Sequence, residues 1–343
     1  MKKFIINLTI ILPILIFSKM SFSSILSEKK VLIDNSKNQQ IRIAENRNNI
    51  PIIEVNPSDK NQVSHNYYQE FHVNKKGLKI NNHPIYPAKL IISEVTSNNK
   101  SYINGNININ TEKTHHLIVN PNGINCNRCS FDNLTTLTAF SVQHINNQGE
   151  YKPNTVQKGT INISKLKNNY NDLNLIANKI RFNKENHSEG SIKIYNGDVK
   201  ITKDEIIIPD IFPEAIPQQR KRKNILIRPA ATVNTPYLFI HSENEFNIVN
   251  NGIINTKRAE ISTLGEFQGK VFSAINITRP DDKKTSSISM NNISLKNTLL
   301  LVDSSSLLLM APNLTNDDIQ YNNTLLLRNG AKINIGQGFG FNK

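Results

Sequence analysis

Asn-Gly pairs recur at the ends of short β-branched runs, and that punctuation constrains the fold of this chain more than any other feature. The pairs stand at 104–105, 122–123, 196–197, 251–252 and 329–330. Between them lie runs such as Leu117-Ile118-Val119, Thr160-Ile161-Asn162-Ile163, Ser191-Ile192-Lys193-Ile194, Asn247-Ile248-Val249 and Leu325-Leu326-Leu327. Such runs, closed by Asn, Gly, Pro or Ser, are strand signals. Taken singly, Asn-Gly pairs suit tight hairpins. Repeated from about Ile50 onward, they equally suit the corners of a solenoid in which one strand per face stacks on the next level. At about 20–25 residues per level the chain predicts roughly a dozen levels, and the rod would be on the order of 60 Å long. Ile, Leu and Val would point inward, and stacked Asn side chains could hydrogen-bond along the axis. The best helical candidate is the stretch from Asp172 to Ile180.

Composition agrees with a thin, repetitive core. Hydrophobic residues make up 38% of 343 and mean hydropathy is −0.40, which is poor material for one thick spherical core. The net charge of +14 is compatible with anionic partners and equally with a Lys-rich solvated surface. The charge is spread along the chain, with one cluster at Arg220-Lys221-Arg222-Lys223. That cluster follows Pro209, Pro213 and Pro217, which cannot form inner strands. The segment is therefore read as a loop or linker whose basic tetrad could bind anions or invite a protease.

The N-terminus has the layout of a secretory signal peptide, residues 1–23: Lys2 and Lys3, an apolar region from Phe4 to Phe17, then small residues with Ser21 and Ser23 flanking Phe22. The apolar run is short for a membrane span. A lead-in over 24–49 is expected before the strand-rich part.

The two cysteines form Cys126-Asn127-Arg128-Cys129. Such a pair can be a redox centre, half a zinc site or a short disulfide. Zinc needs further ligands, and the nearby His115-His116 lies on a strand, where neighbours point to opposite faces. A thioredoxin-like site needs a helix N-terminus that is not evident. An oxidising periplasm favours a disulfide that staples the turn. Catalytic motifs are lacking: Gly336-Gln337-Gly338-Phe339-Gly340 has no following helix to hold phosphate, and Asp204 and Glu205, adjacent on a strand, would point apart. His65 and His72 are read as surface or strand-edge residues. No catalytic residue, cofactor, metal or nucleic-acid partner is expected.

The stretch Leu117-Ile118-Val119-Asn120-Pro121-Asn122-Gly123-Ile124 is an apolar strand running into a turn, where Pro121 presets φ, Gly123 accepts positive φ and Asn120 and Asn122 can cap backbone groups. Here the chain resembles the secretion domain of two-partner secretion exoproteins: filamentous haemagglutinins, haemolysins and contact-dependent inhibition proteins. Upstream blocks follow in the family's order: Val63 to Val73, Lys76 to Asn82, Ala88 to Thr96, and Ile103-Asn104-Gly105. The cysteine pair is similar to the haemolysin-like branch. There are departures: the family's Asn-Pro-Asn-Leu element is missing between Asn82 and Ala88, Arg128 stands where glycine is common, and Asn178 where an arginine is expected.

The resemblance implies a right-handed parallel β-helix with extra-helical hairpins and loops, spanning 50–275, with a short continuation over 276–343 and no large passenger. It implies a non-enzymatic module recognised in the periplasm by an outer-membrane transporter with POTRA repeats. Export to the surface or medium of a Gram-negative bacterium would follow, as an adhesin- or haemolysin-like protein. Asn120, Pro121, Asn122 and Gly123 are the candidate recognition turn, and Cys126 and Cys129 the disulfide. Rival readings are a cationic surface adhesin for anionic glycans or lipids, a remnant of a larger exoprotein, and a β-helix enzyme acting on polysaccharide.

Overall fold

Short apolar runs too brief for independent sheets gain stability here by stacking on one another. The computed structural model is an all-β parallel β-helix. It describes residues 30–110, 113–141, 150–151, 159–169, 172–196, 199–202, 206–207, 223–242, 245–270, 273–278, 284–295, 298–315 and 325–336. The signal-peptide segment, the proline-rich stretch from Pro209 with its basic cluster through Arg222, Asp204-Glu205, and 337–343 lie outside the described residues.

Three columns of strands form the walls. The first face stacks Val63–Glu70, Leu90–Val95, Thr114–Val119, Leu134–Ser141, Asp172–Ala177 and Ile192–Asn196, then continues through later levels. One register column runs His65, Ile92, Leu117, Thr138, Asn174, Lys193, Phe239, Glu260, Ser287, Leu308 and Asn334, parallel at every step. The second face stacks Ser101–Ile103, Ile124–Asn127, Thr160–Ser164, Lys179–Asn183, Lys223–Ile227 and Asn247–Asn250. The third begins with Pro51–Glu54, Leu78–Asn81, Asn106–Ile109, Ser130–Asp132, Lys167–Asn168 and Glu185–Ser188.

The Asn-Gly pairs at 104–105, 122–123, 251–252 and 329–330 join strands that lie in different parallel columns, so the corner reading holds and the hairpin reading does not. Asn ladders run along the axis: Asn162 Nδ2 donates to Asn125 Oδ1 at 2.6 Å, Asn255 to Asn234 at 2.6 Å and Asn276 to Asn255 at 2.7 Å. The helical candidate from Asp172 to Ile180 is instead two strands, Asp172–Ala177 and the start of Lys179–Asn183, turning one corner. Its closely spaced apolar residues belong to both sides of one wall, which imitates helical periodicity.

The interior is one continuous cluster from Val31 to Leu314. A second cluster lies outside the first face: Leu90, Ile92, Leu117, Val119, Phe140, Ile176 and Tyr195, joined by Val199 and Ile201. The last two belong to a separate antiparallel sheet of Glu150–Tyr151, Val199–Ile201 and Ile206–Ile207. Its strands lie in the two long insertions, where the step between levels rises to 36 residues, as at Thr138 and Asn174, and to 46, as at Asn186 and Thr232. Elsewhere a typical step is 21 residues, as at Asn120 above Asn99.

The two ends differ. Leu32–Ile33 pairs antiparallel with Val63–Glu70, and Arg42–Glu45 with Pro51–Glu54, closing the N-terminal end. At the other end Leu325–Arg328 and Lys332–Gly336 pair on one side only, among the described residues.

Candidate functional site

The Asn120–Gly123 turn sits at the corner between the first and second faces. Val119 ends a strand whose residues are all buried, and Ile124 begins the next. The chain must bend from one face to the next while satisfying its backbone groups, because a buried orphan costs about 1–3 kcal/mol. Gly123 N–H donates to the Asn120 carbonyl at 3.1 Å, closing the turn. Asn120 Oδ1 accepts Asn122 N–H at 2.9 Å. Gly123 has φ +125°, and a Cβ there would lie 3.0 Å from the Thr160 carbonyl oxygen of the level above. Only glycine meets both conditions without strain.

The turn is also bolted to its neighbours. Asn120 Nδ2 donates downward to the Asn99 carbonyl and to Ser101 Oγ, both at 2.9 Å. Asn122 Nδ2 donates to the Ser97 carbonyl at 2.8 Å. From above, Asn120 N–H reaches the Phe140 carbonyl at 2.9 Å and Ser141 Oγ donates to the Asn120 carbonyl at 2.8 Å. Asn120 is therefore fully buried (0% exposed), while Pro121 and Asn122 are half-buried. Ser97, Asn99, Ser101 and Ser141 are hydrogen-bond partners of the turn that sequence reasoning did not single out. Their signal is spacing: each lies about one level from the turn.

The cysteines occupy the next corner of the same level. Cys126 and Cys129 form a disulfide with Cα atoms 5.4 Å apart, and both side chains join the core. Between them Arg128 has φ +60°, at the position where the family commonly carries glycine. The bond links the end of a second-face strand to the residue before Ser130–Asp132 on the third face.

The histidines near the turn are structural. His116 points inward beneath the core; its Nε2 lies 3.0 Å from Ser93 Oγ and its ring meets Phe71 edge-on. Burial, with neighbouring His115 second, pushes the His116 imidazole down to about 3. His115 points outward, 2.8 Å from Thr138 Oγ1. The pair thus faces opposite ways. His72 is buried, contrary to expectation, and accepts the Tyr102 N–H, while His65 is half-buried on the outer side of its strand with Nε2 2.6 Å from Glu94 Oε2.

The fold is thus a parallel β-helix whose first wall is sheathed by an extra-helical sheet, with this turn at its corner. The TPS secretion domain family model matches residues 29–210, and the chain belongs to that family. A "Toxin CdiA" of Yersinia pestis is 28% identical over 158 residues, covering 40% of this chain and 5% of the toxin. A "Hemolysin" of Proteus mirabilis is 28% identical over 150 residues, covering 38% of this chain and 10% of that protein. These matches span only a small fraction of those relatives' length. The crystal structure of a filamentous hemagglutinin secretion domain superposes with a TM-score of 0.62 at 17% identity, over 90% of this chain and 100% of the other. That likeness is one of fold.

Proposed function

We propose that this chain carries the export signal of a two-partner exoprotein. Periplasmic POTRA repeats of an outer-membrane transporter bind the segment containing Asn120, Pro121, Asn122 and Gly123. The transporter exports the chain to the surface or medium, and the β-helix forms outside, with an adhesin- or haemolysin-like role.

One observation supports this order of events above others. Asn120 is fully buried, its side chain bonded to the level below and its backbone to the level above, so a partner cannot read it once the helix has formed. If the turn residues are recognised, they are recognised in the extended chain. After passage the same residues fix the corner, and each added level buries apolar area worth roughly 25 cal/mol per Å². Family membership supplies the partner class; the buried turn supplies the sequence.

The test is co-expression with the cognate transporter, comparing signal-cleaved protein in periplasm and medium. Asn120→Ala and Gly123→Val should accumulate or be degraded in the periplasm while the wild type reaches the medium. Equal secretion of all three proteins would remove the turn from the export signal.

A further inference from the structure

We propose that the corner between the second and third faces is a binding ridge for an extended anionic glycan. The proposal goes beyond export and does not depend on it. At this corner the chain needs left-handed backbone, a demand met most cheaply by glycine or asparagine. Successive levels instead carry Arg128 at φ +60°, Lys165 at +59° and Lys184 at +60°, all exposed. Their alignment follows from register: Arg128 N–H donates to the Ser164 carbonyl at 2.8 Å, and Ser164 pairs with Asn183. Arg228, whose N–H donates to the Phe182 carbonyl at 3.1 Å, adds an exposed cation one level on.

Levels of a parallel sheet are about 4.8 Å apart, so these like charges repel across the stack. Among the described residues no ion pair joins Arg128, Lys165 or Lys184 to a carboxylate, although Glu185 follows Lys184 in the chain. Repulsion concentrated in one line is a cost that an anionic ligand would offset.

The wall beside the ridge has the matching chemistry. Tyr102, Asn125, Asn162 and Arg181 stack in register on the second face and are half-exposed. The Asn162–Asn125 amide ladder presents donors and acceptors to hydroxyl groups. At the lower end a cavity of about 390 Å³ is lined by Tyr102, His72, Asn74, Asn104 and the exposed pair Lys75-Lys76. An aromatic ring, amides and a line of cations suit a sulfated or carboxylated sugar chain. Successive aromatic platforms, which single-stranded nucleic acid would use, are not present along this strip of described residues.

The probe is immobilised heparin with the full chain at about 0.15 M salt. The combined variant Arg128→Asn, Lys165→Asn and Lys184→Asn keeps residues that tolerate positive φ and should weaken binding about tenfold. A control removing the same charge elsewhere, Lys60→Gln with Lys89→Gln and Lys113→Gln, should lose less than about twofold. Should the combined variant fail to give a β-type circular dichroism spectrum, Lys165→Asn alone decides, with an expected loss of about twofold to threefold. Equal losses in ridge and control variants, or unaltered binding in the ridge variants, would overturn the assignment. So would displacement of heparin by DNA at lower charge concentration, which would make the ridge a nucleic-acid surface.

Discussion

The early levels, up to Tyr195, and the late levels, from Thr232, bury their walls differently. In Leu90–Val95 and Thr114–Val119 every residue is buried, whereas Ile253–Gly269 alternates between buried and partly exposed for most of its length. The early first face has an apolar outer surface and a small sheet bearing Val199 and Ile201 to cover it. Beyond Phe239, which still packs on that outer cluster, the late first face presents Glu260, Ser262 and Ser287 outward and stands without such a cover among the described residues. The early corners are also special turns with buried Asn and a disulfide, while late strands such as Thr232–Ser242 and Ile253–Gly269 run through corners unbroken. One repeat can thus be a bare wall or a two-sided one, and the choice lies in whether its outward positions are apolar.

The largest expected difference comes from the covered wall. Phe140→Ala removes a fully buried ring from the outer cluster and should cost about 3–5 kcal/mol. Ser262→Ala on the bare wall should stay within about 0.5 kcal/mol. Chemical denaturation of both variants tests this, and similar costs would erase the distinction. The disulfide comes next: a loop closed over residues three apart should contribute about 2 kcal/mol, read as the shift in unfolding midpoint on replacing both Cys126 and Cys129 with Ser.

Acid should act on the early levels through His116. Its imidazole, pushed down to about 3 by burial, is neutral when folded at a pH where the unfolded chain binds a proton. Its contribution is complete above the unfolded value near 6.5 and is lost as pH falls toward 3. Between pH 7 and 5 that loss is about 2 kcal/mol. Hydrogen exchange around residues 91–140 should report it, and His116→Gln should flatten the dependence. A wild-type profile indistinguishable from His116→Gln would show that this histidine does not titrate on unfolding. The smallest effect concerns Arg128→Gly, which relieves positive φ and should be neutral or stabilising by up to about 1 kcal/mol.

Much of the early region was legible from residues close in sequence. Asn120-Pro121-Asn122-Gly123 announced a capped turn, and Cys126 and Cys129 a short staple, because both depend on local geometry. The run Thr160-Ile161-Asn162-Ile163 likewise marked a strand. What was hidden depends on stacking. His65 finds Glu94 29 residues away and Tyr102 finds His72 across 30, so no local window shows these partners or that His72 is enclosed. Leu173, Leu175 and Ile176 gave a false helical hint because nothing nearby tells that Ile176 faces a second cluster while the other two face the first. The lengths of the two insertions, and so the level spacing across them, were equally beyond local reading.

The shortness of the Cys126–Cys129 link has a consequence for transit. A disulfide between distant residues would oblige a narrow passage to admit two strands abreast. Here the joined Cα atoms stand 5.4 Å apart, against roughly 10 Å for the same three-residue span fully extended. Oxidation therefore shortens the thread by about 5 Å and leaves it a single thread. On the export route proposed above, the chain would be oxidised in the periplasm and drawn through unfolded, the Cys126–Cys129 link already closed.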